Sequence, residues 1–194
     1  MISISKTDKQ GRSMVDLASH DFVENRRIFI SEEITAATAE RFIIELEYLS
    51  SESEQDVTVY INSPGGSVTA GLAMLDAMKR SRSRCDIATI CTGLAASMAA
   101  VLAVCGGTKG KRYITPMGEI MIHQPLGGMQ GQASDMEVAV NRILRVKKRL
   151  NMLLAEASGQ PLEKIAADSE RDHYMDAAEA AAYGLVDGIW LGKR

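Results

Sequence analysis

Cysteine is scarce in this sequence, and its first residues do not have the pattern of a secretory signal. The three cysteines are an odd number and have no C-x-x-C spacing, which favours a reducing compartment over a disulfide framework. Cys91 and Cys105 stand among apolar neighbours and are expected to be inert core residues rather than metal ligands. The N-terminus lacks the apolar segment of a signal peptide. These features predict a cytoplasmic protein without a metal site.

Neither a strong net charge nor a long hydrophobic run is present. The formal net charge is −3, which gives no general attraction to nucleic acid. The one basic cluster, Lys79–Arg84, is typical of a solvated helix end. The longest apolar run, Leu94–Cys105, is too short to span a bilayer and is expected to form a buried core helix. The sequence therefore predicts no nucleic-acid partner and no membrane association.

Two common enzyme motifs are also missing. No G-x-x-x-x-G-K-[ST] segment occurs, which disfavours a nucleotide phosphate loop. The residues around Ser97 do not form the G-x-S-x-G elbow, which disfavours an α/β-hydrolase. The pattern also contains no internal repeat and no low-complexity segment.

What remains is the pattern of one globular α/β domain. The 194 residues are enough to bury a single sizeable core. Residues 1–20 are polar and aperiodic and are predicted to be a flexible arm, which leaves 21–194 as the domain. Strands alternating with amphipathic helices indicate a sheet with crossover connections. The predicted strands are 27–30, 57–61, 87–91, 113–115 and 119–122, and the helices are 35–49, 67–79 and 95–104.

From Ser134 onward the pattern changes to one long helix. Ser134 and Glu137 predict a capping box, and the helix is expected to run to about Ala157 and to end at Gly159. Its length indicates an element projecting from the sheet. Its apolar face would mark an interface between subunits. That face comprises Ile143, Leu144, Val146 and Leu150.

Shorter elements follow the long helix. Pro161 suits the first turn of a short helix. Asp176 and Glu179 predict the cap of a last helix, which is expected to end at Gly184.

The candidate nucleophile is Ser97, the only hydroxyl in an apolar segment, Leu94–Leu102. An ordinary helix cap explains it equally well. A serine at a strand-to-helix turn is nevertheless useful, because the free amides of the first helical turn stabilise an adjacent oxyanion. Of the three histidines, His20 lies in the arm, His173 lies in a surface-like segment, and His123 ends an apolar strand before a glycine-rich turn.

The residues alone leave this site open. His123 suits either a catalytic base or a hydrogen-bonded, half-buried histidine. Local pattern does not select an orienting acid among 25 carboxylates. The Gly65–Gly66 turn suits an anion cradle or plain turn chemistry.

A resemblance to a known family adds to this interpretation. Several motifs occur in the order seen in the Clp protease proteolytic subunit (ClpP), and the similarity covers about residues 22–190. The motifs are Tyr60–Gly66, Thr69–Gly71, Gly93 with Ala95–Met98, Met121–Gly128, Gln130–Ala133, Glu170–Asp172 and Ala180–Asp187.

The resemblance implies a fold and a site. The fold is the ClpP/crotonase-like arrangement of repeated β-α-β units, and the protruding handle helix would be about residues 134–157. The implied catalytic triad is Ser97, His123 and Asp172, with Asp172 resting on the resemblance alone. Oxyanion donors would be the backbone amides of Gly66 and Met98. An extended substrate would pair as an added strand with Leu126, Gly127, Gly128, Met129 and Gln130.

The resemblance also implies an assembly. Family members form two stacked heptameric rings, and Glu170 and Arg171 match an oligomer contact. ATP-driven unfoldases of the AAA+ class feed them unfolded polypeptides, so ATP is used by the partner and this chain would need no cofactor. The implied activity is that of a serine endopeptidase.

Departures from the family pattern leave partners open. Thr58 and Arg80 stand where the family usually has aromatic residues of the unfoldase-docking pocket, and two extra residues extend the loop around Ser81–Arg84. Docking of an unfoldase is therefore uncertain, and a paralogous subunit is a possible partner. Two alternative functions are a largely structural ring subunit beside an active paralogue and a crotonase-type acyl-CoA enzyme.

Overall fold

The computed structural model describes residues 2–8, 11–128 and 130–192, which form nine strands and seven helices. The strands are β1 Ser3–Asp8, β2 Gly11–Asp16, β3 Arg27–Ile30, β4 Val57–Ser63, β5 Ile87–Ala96, β6 Arg112–Ile114, β7 Glu119–Ile122, β8 His173–Asp176 and β9 Gly188–Ile189. The helices are α1 Leu17–Glu24, α2 Ala36–Glu52, α3 Val68–Ser81, α4 Met98–Gly106, α5 Ala133–Ser158, α6 Leu162–Asp168 and α7 Ala177–Tyr183.

A mainly parallel sheet organises the molecule. Strands β3, β4, β5, β6 and β9 are hydrogen-bonded in that order, with helical crossovers between the parallel neighbours β3, β4 and β5. The long strand β5 pairs with β6 near its start and with β7 near its end. Strand β8 then pairs with β7 in antiparallel fashion. This is the α/β arrangement of repeated β-α-β units that the sequence predicted.

The core lies between the sheet and its covering helices. Strand β4 buries alternate residues, since side chains along a strand point to opposite faces. Helices α2 and α3 each bury one face, including Phe42 and Met74. Helix α4 is buried along its whole length, from Met98 to Gly106. Because α4 is packed on all sides, the residues at its start, Ser97 and Met98, are held in place by the core.

The boundary between β5 and α4 corrects the sequence-based expectation. The apolar run Leu94–Cys105 was expected to be one helix, but Leu94–Ala96 continue β5 and pair with Glu119–Met121 of β7. Gly93, at φ 82°, lies between the segments that pair with β6 and β7. A Cβ there would come within 2.8 Å of Asn62 Oδ1, so only glycine fits.

Helix ends were predicted with mixed success. The Asp176–Glu179 capping box of α7 is present, and Gly184 ends that helix in the left-handed conformation. The capping box expected at Ser134 and Glu137 is wrong, because the cap residue of α5 is Gln132, two residues earlier, and it makes no side-chain cap bond. Pro161 is the cap of α6 rather than a residue of its first turn.

Two parts of the chain lie outside the main sheet, the N-terminal segment and the first half of helix α5. The segment expected to be an aperiodic arm contains the antiparallel hairpin β1–β2 and the start of α1, and its flexibility stays a prediction. Helix α5 buries only Leu150, Asn151 and Leu154, so its first half stands clear of the core. Its bounds match the predicted handle helix to within one residue at each end. No helix among the described residues has the length and apolarity needed to cross a bilayer.

Candidate active site

Ser97 occupies the junction between β5 and α4 in a strained backbone conformation. Its φ of 55° lies in a region that non-glycine residues seldom adopt and that persists only where the surroundings impose it. The Ser97 amide donates to the Met121 carbonyl at 2.9 Å, which attaches the junction to β7. The Ser97 hydroxyl caps no amide of α4, so the alternative of an ordinary helix cap is wrong.

The hydroxyl instead contacts an imidazole. His123 follows β7 directly, and its Nε2 lies 2.7 Å from Ser97 Oγ. Its Nδ1 lies 3.1 Å from Asp172 Oδ1. An ionised carboxylate only accepts hydrogen bonds, so in the neutral imidazole Nδ1–H donates to Asp172 and Nε2 accepts from the Ser97 hydroxyl. The three side chains therefore form one hydrogen-bonded series.

Sheet register explains why these residues meet. Ala96 of β5 pairs with Met121 of β7, so the residues that follow, Ser97 and His123, leave the sheet at neighbouring points. Ile122 of β7 pairs with His173 of β8, which brings the preceding residue, Asp172, beside His123. His173 itself lies in β8, half-buried against the Tyr183 ring, and takes no part in the series.

The carboxylate is much more exposed than its partner. The His123 side chain is 14% exposed and the Asp172 side chain is 59% exposed. The segment before Asp172 is held by polar contacts with the residue after His123. Gln124 donates from its backbone amide to the Ser169 carbonyl at 2.7 Å and from Nε2 to the Glu170 carbonyl at 3.0 Å.

Helix α5 also reaches this segment. Lys147 Nζ donates to Glu170 Oε2 at 2.7 Å and to Gln124 Oε1 at 2.9 Å. The hydrogen bond and charge of Lys147 hold the pKa of Glu170 below its usual value. The buried Ser169 hydroxyl contacts Asn151 Oδ1 at 3.3 Å. We call Gln124, Lys147 and Glu170 the polar brace. Sequence reasoning missed Lys147, because it is one of several basic residues on the helix.

The Gly65–Gly66 turn packs directly against the serine junction. A Cβ on Gly65 would come within 2.6 Å of the Ala96 carbonyl oxygen and 2.8 Å of Ser97 Cβ. Within the described part of the chain, neither the Gly66 amide nor the Met98 amide donates a backbone hydrogen bond. Both amides are thereby free of backbone partners, the Met98 amide in the residue after Ser97 and the Gly66 amide in the turn that packs against the serine junction.

A cleft adjoins the series of three side chains. A cavity of about 20 Å³ touches Ser97, Met98 and His123, and its other walls are apolar except for backbone. A larger groove of about 590 Å³ lies between α5, the start of α3 and residues 125–128. Leu126 is 84% exposed, and residues 126–128 and 130 belong to no strand. Met129, the remaining residue of the expected substrate strand, lies outside the described residues.

No group of three or more potential ligands in the described segments could hold a metal ion. Burial raises the pKa of the Cys91 and Cys105 thiols to about 12, so both stay protonated at neutral pH. Cys85 is also buried, and all three cysteines are free. Among the described residues that line the small cavity, the candidate nucleophile is the Ser97 hydroxyl.

A serine, a histidine and an aspartate joined in series, beside free backbone amides, are the arrangement found in serine hydrolases. The sequence model of the Clp protease family matches residues 9–193. The chain is also 51% identical over 187 residues to ATP-dependent Clp protease proteolytic subunit 1 of Shouchella clausii (strain KSM-K16), covering 96% of this chain and 95% of that protein. This chain belongs to the Clp protease family. Its membership favours neither the acyl-CoA enzyme nor the purely structural subunit.

Proposed function

We propose that this chain is the proteolytic subunit of an ATP-dependent Clp protease, a serine endopeptidase that cleaves unfolded polypeptides. The observation that carries the proposal is the series from Ser97 Oγ to His123 Nε2, 2.7 Å, and from His123 Nδ1 to Asp172 Oδ1, 3.1 Å. Both distances are within or close to hydrogen-bond range for proton transfer and for orienting the base. The 51% identity to a Clp proteolytic subunit supports the same activity.

The proposed reaction uses only groups of the chain and water. Ser97 Oγ forms a bond to the scissile carbonyl carbon while its proton passes to His123 Nε2, and the carbonyl electron pair moves to the oxygen. Collapse of this intermediate breaks the C–N bond, and His123 gives its proton to the leaving amine. Water then attacks the acyl ester by the same route and releases Ser97. Asp172 holds the imidazole in the required tautomer and stabilises its charged form.

Backbone amides would stabilise the oxyanion. The Met98 N–H follows Ser97 directly and lies at the positive end of the α4 dipole, and the Gly66 N–H follows Gly65, which packs against Ser97. Removal of one such donor costs roughly 3 kcal/mol of transition-state stabilisation in other enzymes. The substrate backbone would pair with Leu126, Gly127, Gly128, Met129 and Gln130 as an added strand, and the exposed backbone of 126–128 suits this role.

Assembly is the second part of the proposal. We expect two stacked heptameric rings, joined through α5, whose chamber receives chains from a Clp unfoldase. Five apolar side chains on α5 are 40–67% exposed, namely Met136, Val138, Val140, Leu144 and Met152. Of the residues first assigned to this interface, Leu150 is buried in its own subunit and Val146 packs against that core. Glu170 belongs to the polar brace, while Arg171 is exposed. The cytoplasmic location stays a prediction from the sequence.

The first prediction concerns the nucleophile. Ser97→Ala should abolish peptide hydrolysis and labelling by a fluorophosphonate, because no other hydroxyl is hydrogen-bonded to His123 Nε2 among the described residues. Turnover is measured with a fluorogenic peptide, and labelling is read from the intact mass. Particle mass by light scattering should be unchanged.

Ser67→Ala provides a matched control. Ser67 caps α3 near the same turn but makes no contact with His123. It should keep labelling and turnover near those of the unaltered protein. Hydrolysis that survives in Ser97→Ala would disprove the serine-peptidase proposal, and a monomeric mass at micromolar concentration would disprove the assembly.

A further inference from the structure

Ser63 is a buried hydroxyl at the end of β4, close to the candidate active site. It is 1% exposed, and its Oγ donates to the Glu32 carbonyl at 2.6 Å and accepts from the Gly65 amide at 3.2 Å. One side chain thus joins the turn that contains Gly65 to the segment after β3. Neither the sequence pattern nor the proposed mechanism assigned it a role.

The same turn is attached to the Glu32–Ile34 segment at further points. Ile34 donates its amide to the Gly65 carbonyl at 2.7 Å, and Ser67 donates its amide to the Ile34 carbonyl at 2.8 Å. These bonds use the Gly65 carbonyl and the Ser67 amide, which lie on either side of the Gly66 amide. The Gly66 amide itself has no backbone partner among the described residues. The orientation of the Gly66 N–H therefore depends on how the turn is held.

The turn is in contact with the residues that carry the chemistry. Ser63 pairs with Ala95 across β4 and β5, two residues before Ser97. The register between the strands shifts between Ile61 and Ser63, so the regular ladder does not by itself fix the turn. At the other side, the Gly65 Cα is packed so closely against Ala96, Ser97 and Met98 that a Cβ would overlap them.

We infer that Ser63 is a positioning residue, whose hydroxyl holds the Gly65–Gly66 turn so that the Gly66 amide is aimed at the oxygen that becomes negative during acylation. The inference rests on the proposed function. The Ser63 hydroxyl is buried and bonds to the Glu32 carbonyl and the Gly65 amide, so its effect passes through the backbone of the turn. Displacing this donor reduces the stabilisation of the developing oxyanion far more than that of the ground-state carbonyl, because the hydrogen bond is strongest to the oxyanion.

The expected effect is on the chemical step. Ser63→Ala should lower kcat about tenfold, less than the 10²–10³-fold cost of deleting a donor outright, since the amide is shifted rather than removed. KM should stay within about twofold, because the residues expected to bind the substrate strand are untouched. Ser63→Cys fills the same space with a weaker hydrogen-bonding group and should give a smaller loss of kcat.

The experiment measures kcat and KM on a fluorogenic peptide, together with inhibition by a peptide aldehyde of the same sequence. Ser97 adds to the aldehyde carbon, and the carbonyl electron pair moves to the oxygen, which then occupies the oxyanion position. The inhibition constant should rise in Ser63→Ala by about the factor by which kcat/KM falls. A residue that only stabilises the fold would not change kcat/KM and the aldehyde inhibition constant by the same factor.

Ser50→Ala is the matched control. Ser50 is also a buried serine, 4% exposed, and donates to the Glu47 carbonyl at 3.3 Å away from the cleft. It should lower Tm without changing kcat or the aldehyde inhibition constant. If Ser63→Ala does not fold, Ser63→Cys is compared with Ser50→Ala instead.

The outcomes distinguish a failure of the inference about Ser63 from a failure of the proposed function. A loss of kcat in Ser63 variants with a parallel loss of aldehyde affinity supports the inference. Unchanged kcat and aldehyde affinity in both Ser63 variants, with only Tm lowered, overturns it while the proposed function stands. Failure of the unaltered protein to react with the fluorophosphonate overturns the proposed function itself.

Discussion

The two halves of the Ser–His–Asp series are held in different ways. Ser97 and His123 follow paired strands of the central sheet, and the His123 side chain is only 14% exposed. Asp172 lies in the connection between α6 and β8 with a side chain that is 59% exposed. The nucleophile and base thus lie against the core of the domain, while the acid precedes the edge strand β8 and also depends on contacts to the connection between α6 and β8.

Some of those contacts come from α5, the helix that is proposed to join the rings. Lys147 and Asn151 of α5 contact Glu170 and Ser169, in the connection that carries Asp172. We therefore expect a displacement of α5 to change the position of Asp172, because α5 holds the connection that carries it. The difference predicts that catalysis can be weakened through the acid without disturbing the core.

Replacing the acid itself should have the largest effect. Asp172→Asn keeps the shape but removes the charge that stabilises the imidazolium, and kcat should fall about 10³–10⁴-fold. The measurement is peptide hydrolysis under saturating substrate. Tm should change by little, because the side chain is exposed and forms no part of the core.

Glu163→Gln is the control for that change. Glu163 is an exposed carboxylate in the first turn of α6, the helix that precedes Asp172. It should leave kcat near that of the unaltered protein. A kcat for Asp172→Asn within tenfold of the unaltered value would show that Asp172 does not orient His123.

This division between core and surface also explains what the sequence predicted well. Strands such as Arg27–Ile30 and Glu119–Ile122 were predicted at their observed bounds, because they are short apolar runs between turn residues. Ser97 and His123 were singled out from local pattern for the same reason. Ser97 is the only hydroxyl in an apolar segment and His123 ends an apolar strand, so few other hydroxyls or imidazoles compete with them.

The parts that failed depend on distant pairing. The end of β5 at Ala96 is decided by β7, since the run Leu94–Cys105 is apolar whichever structure it adopts. Strand β8 was missed because its four residues look like a polar surface segment until β7 pairs with them. Asp172 could not be chosen among 25 carboxylates, because only that β7–β8 register brings it to His123.

A buried ion pair offers a test of the core side of the comparison. Arg112 is 6% exposed and contacts both carboxylate oxygens of Asp187, which is 17% exposed. Asp187→Asn should lower the free energy of unfolding by about 3 kcal/mol, because the buried guanidinium loses its countercharge. Urea denaturation measures this loss, and kcat below the unfolding transition should be unchanged.

The pH dependence of that loss has a definite sign. Burial alone would raise the pKa of Asp187, but hydrogen bonds and charge from Arg112 outweigh it and hold that pKa below its ordinary value. A lowered pKa stabilises the fold above the unfolded-state pKa of about 3.9, and this contribution is lost as pH falls through the folded-state pKa. The difference in free energy of unfolding between the unaltered protein and Asp187→Asn should therefore be largest at pH 7 and shrink below about pH 4.

Asp56→Asn serves as the exposed counterpart. Asp56 pairs with Lys111 at 2.6 Å, but its side chain is 49% exposed, so its loss should cost only about 0–1 kcal/mol. Equal losses for Asp187→Asn and Asp56→Asn, or a gap that widens in acid, would contradict the role assigned to the buried pair.

The polar brace should have a smaller effect, and on rate rather than stability. Lys147→Met removes the contacts to Glu170 and Gln124, which are partly exposed and worth little to the fold. Looser positioning of Asp172 should lower kcat about tenfold, less than the 10²-fold cost of a 1 Å misplacement. KM should change little, and kcat is compared at equal particle mass.

Two further variants sharpen that result. Lys147→Arg can still bond to Glu170 and should recover most of kcat. Lys148→Met removes the neighbouring exposed lysine, which the brace does not include, and should leave kcat unchanged. A Lys147→Met protein with normal kcat, or an equal loss in Lys148→Met, would show that α5 does not position the acid.

The surface around Thr58 and Arg80, where the sequence comparison predicted departures from the family pattern, differs from the cleft in its polar character. Within one subunit, Thr58 lines a groove of about 830 Å³ with Tyr60, Tyr113 and Trp190, whereas Arg80 lines a separate cavity of about 360 Å³. Arg80 is paired with Glu47 at 2.7 Å, and both side chains are more than half exposed. Such a pair contributes little where it is, but covering it with an apolar loop would cost desolvation of two charges.

We therefore expect homomeric rings of this protein to dock a Clp unfoldase weakly, with a paralogous ring supplying the docking face. Arg80→Phe removes a charge and adds an aromatic anchor, so it should raise unfoldase-dependent degradation a few-fold without changing hydrolysis of a short peptide. The assay is degradation of a folded, tagged substrate with the cognate unfoldase and ATP, and no paralogue. Arg41→Phe, at an exposed ion pair on α2, is the control and should change neither rate. Robust degradation by the unaltered protein, in proportion to added unfoldase, would show that other residues rebuild the docking surface.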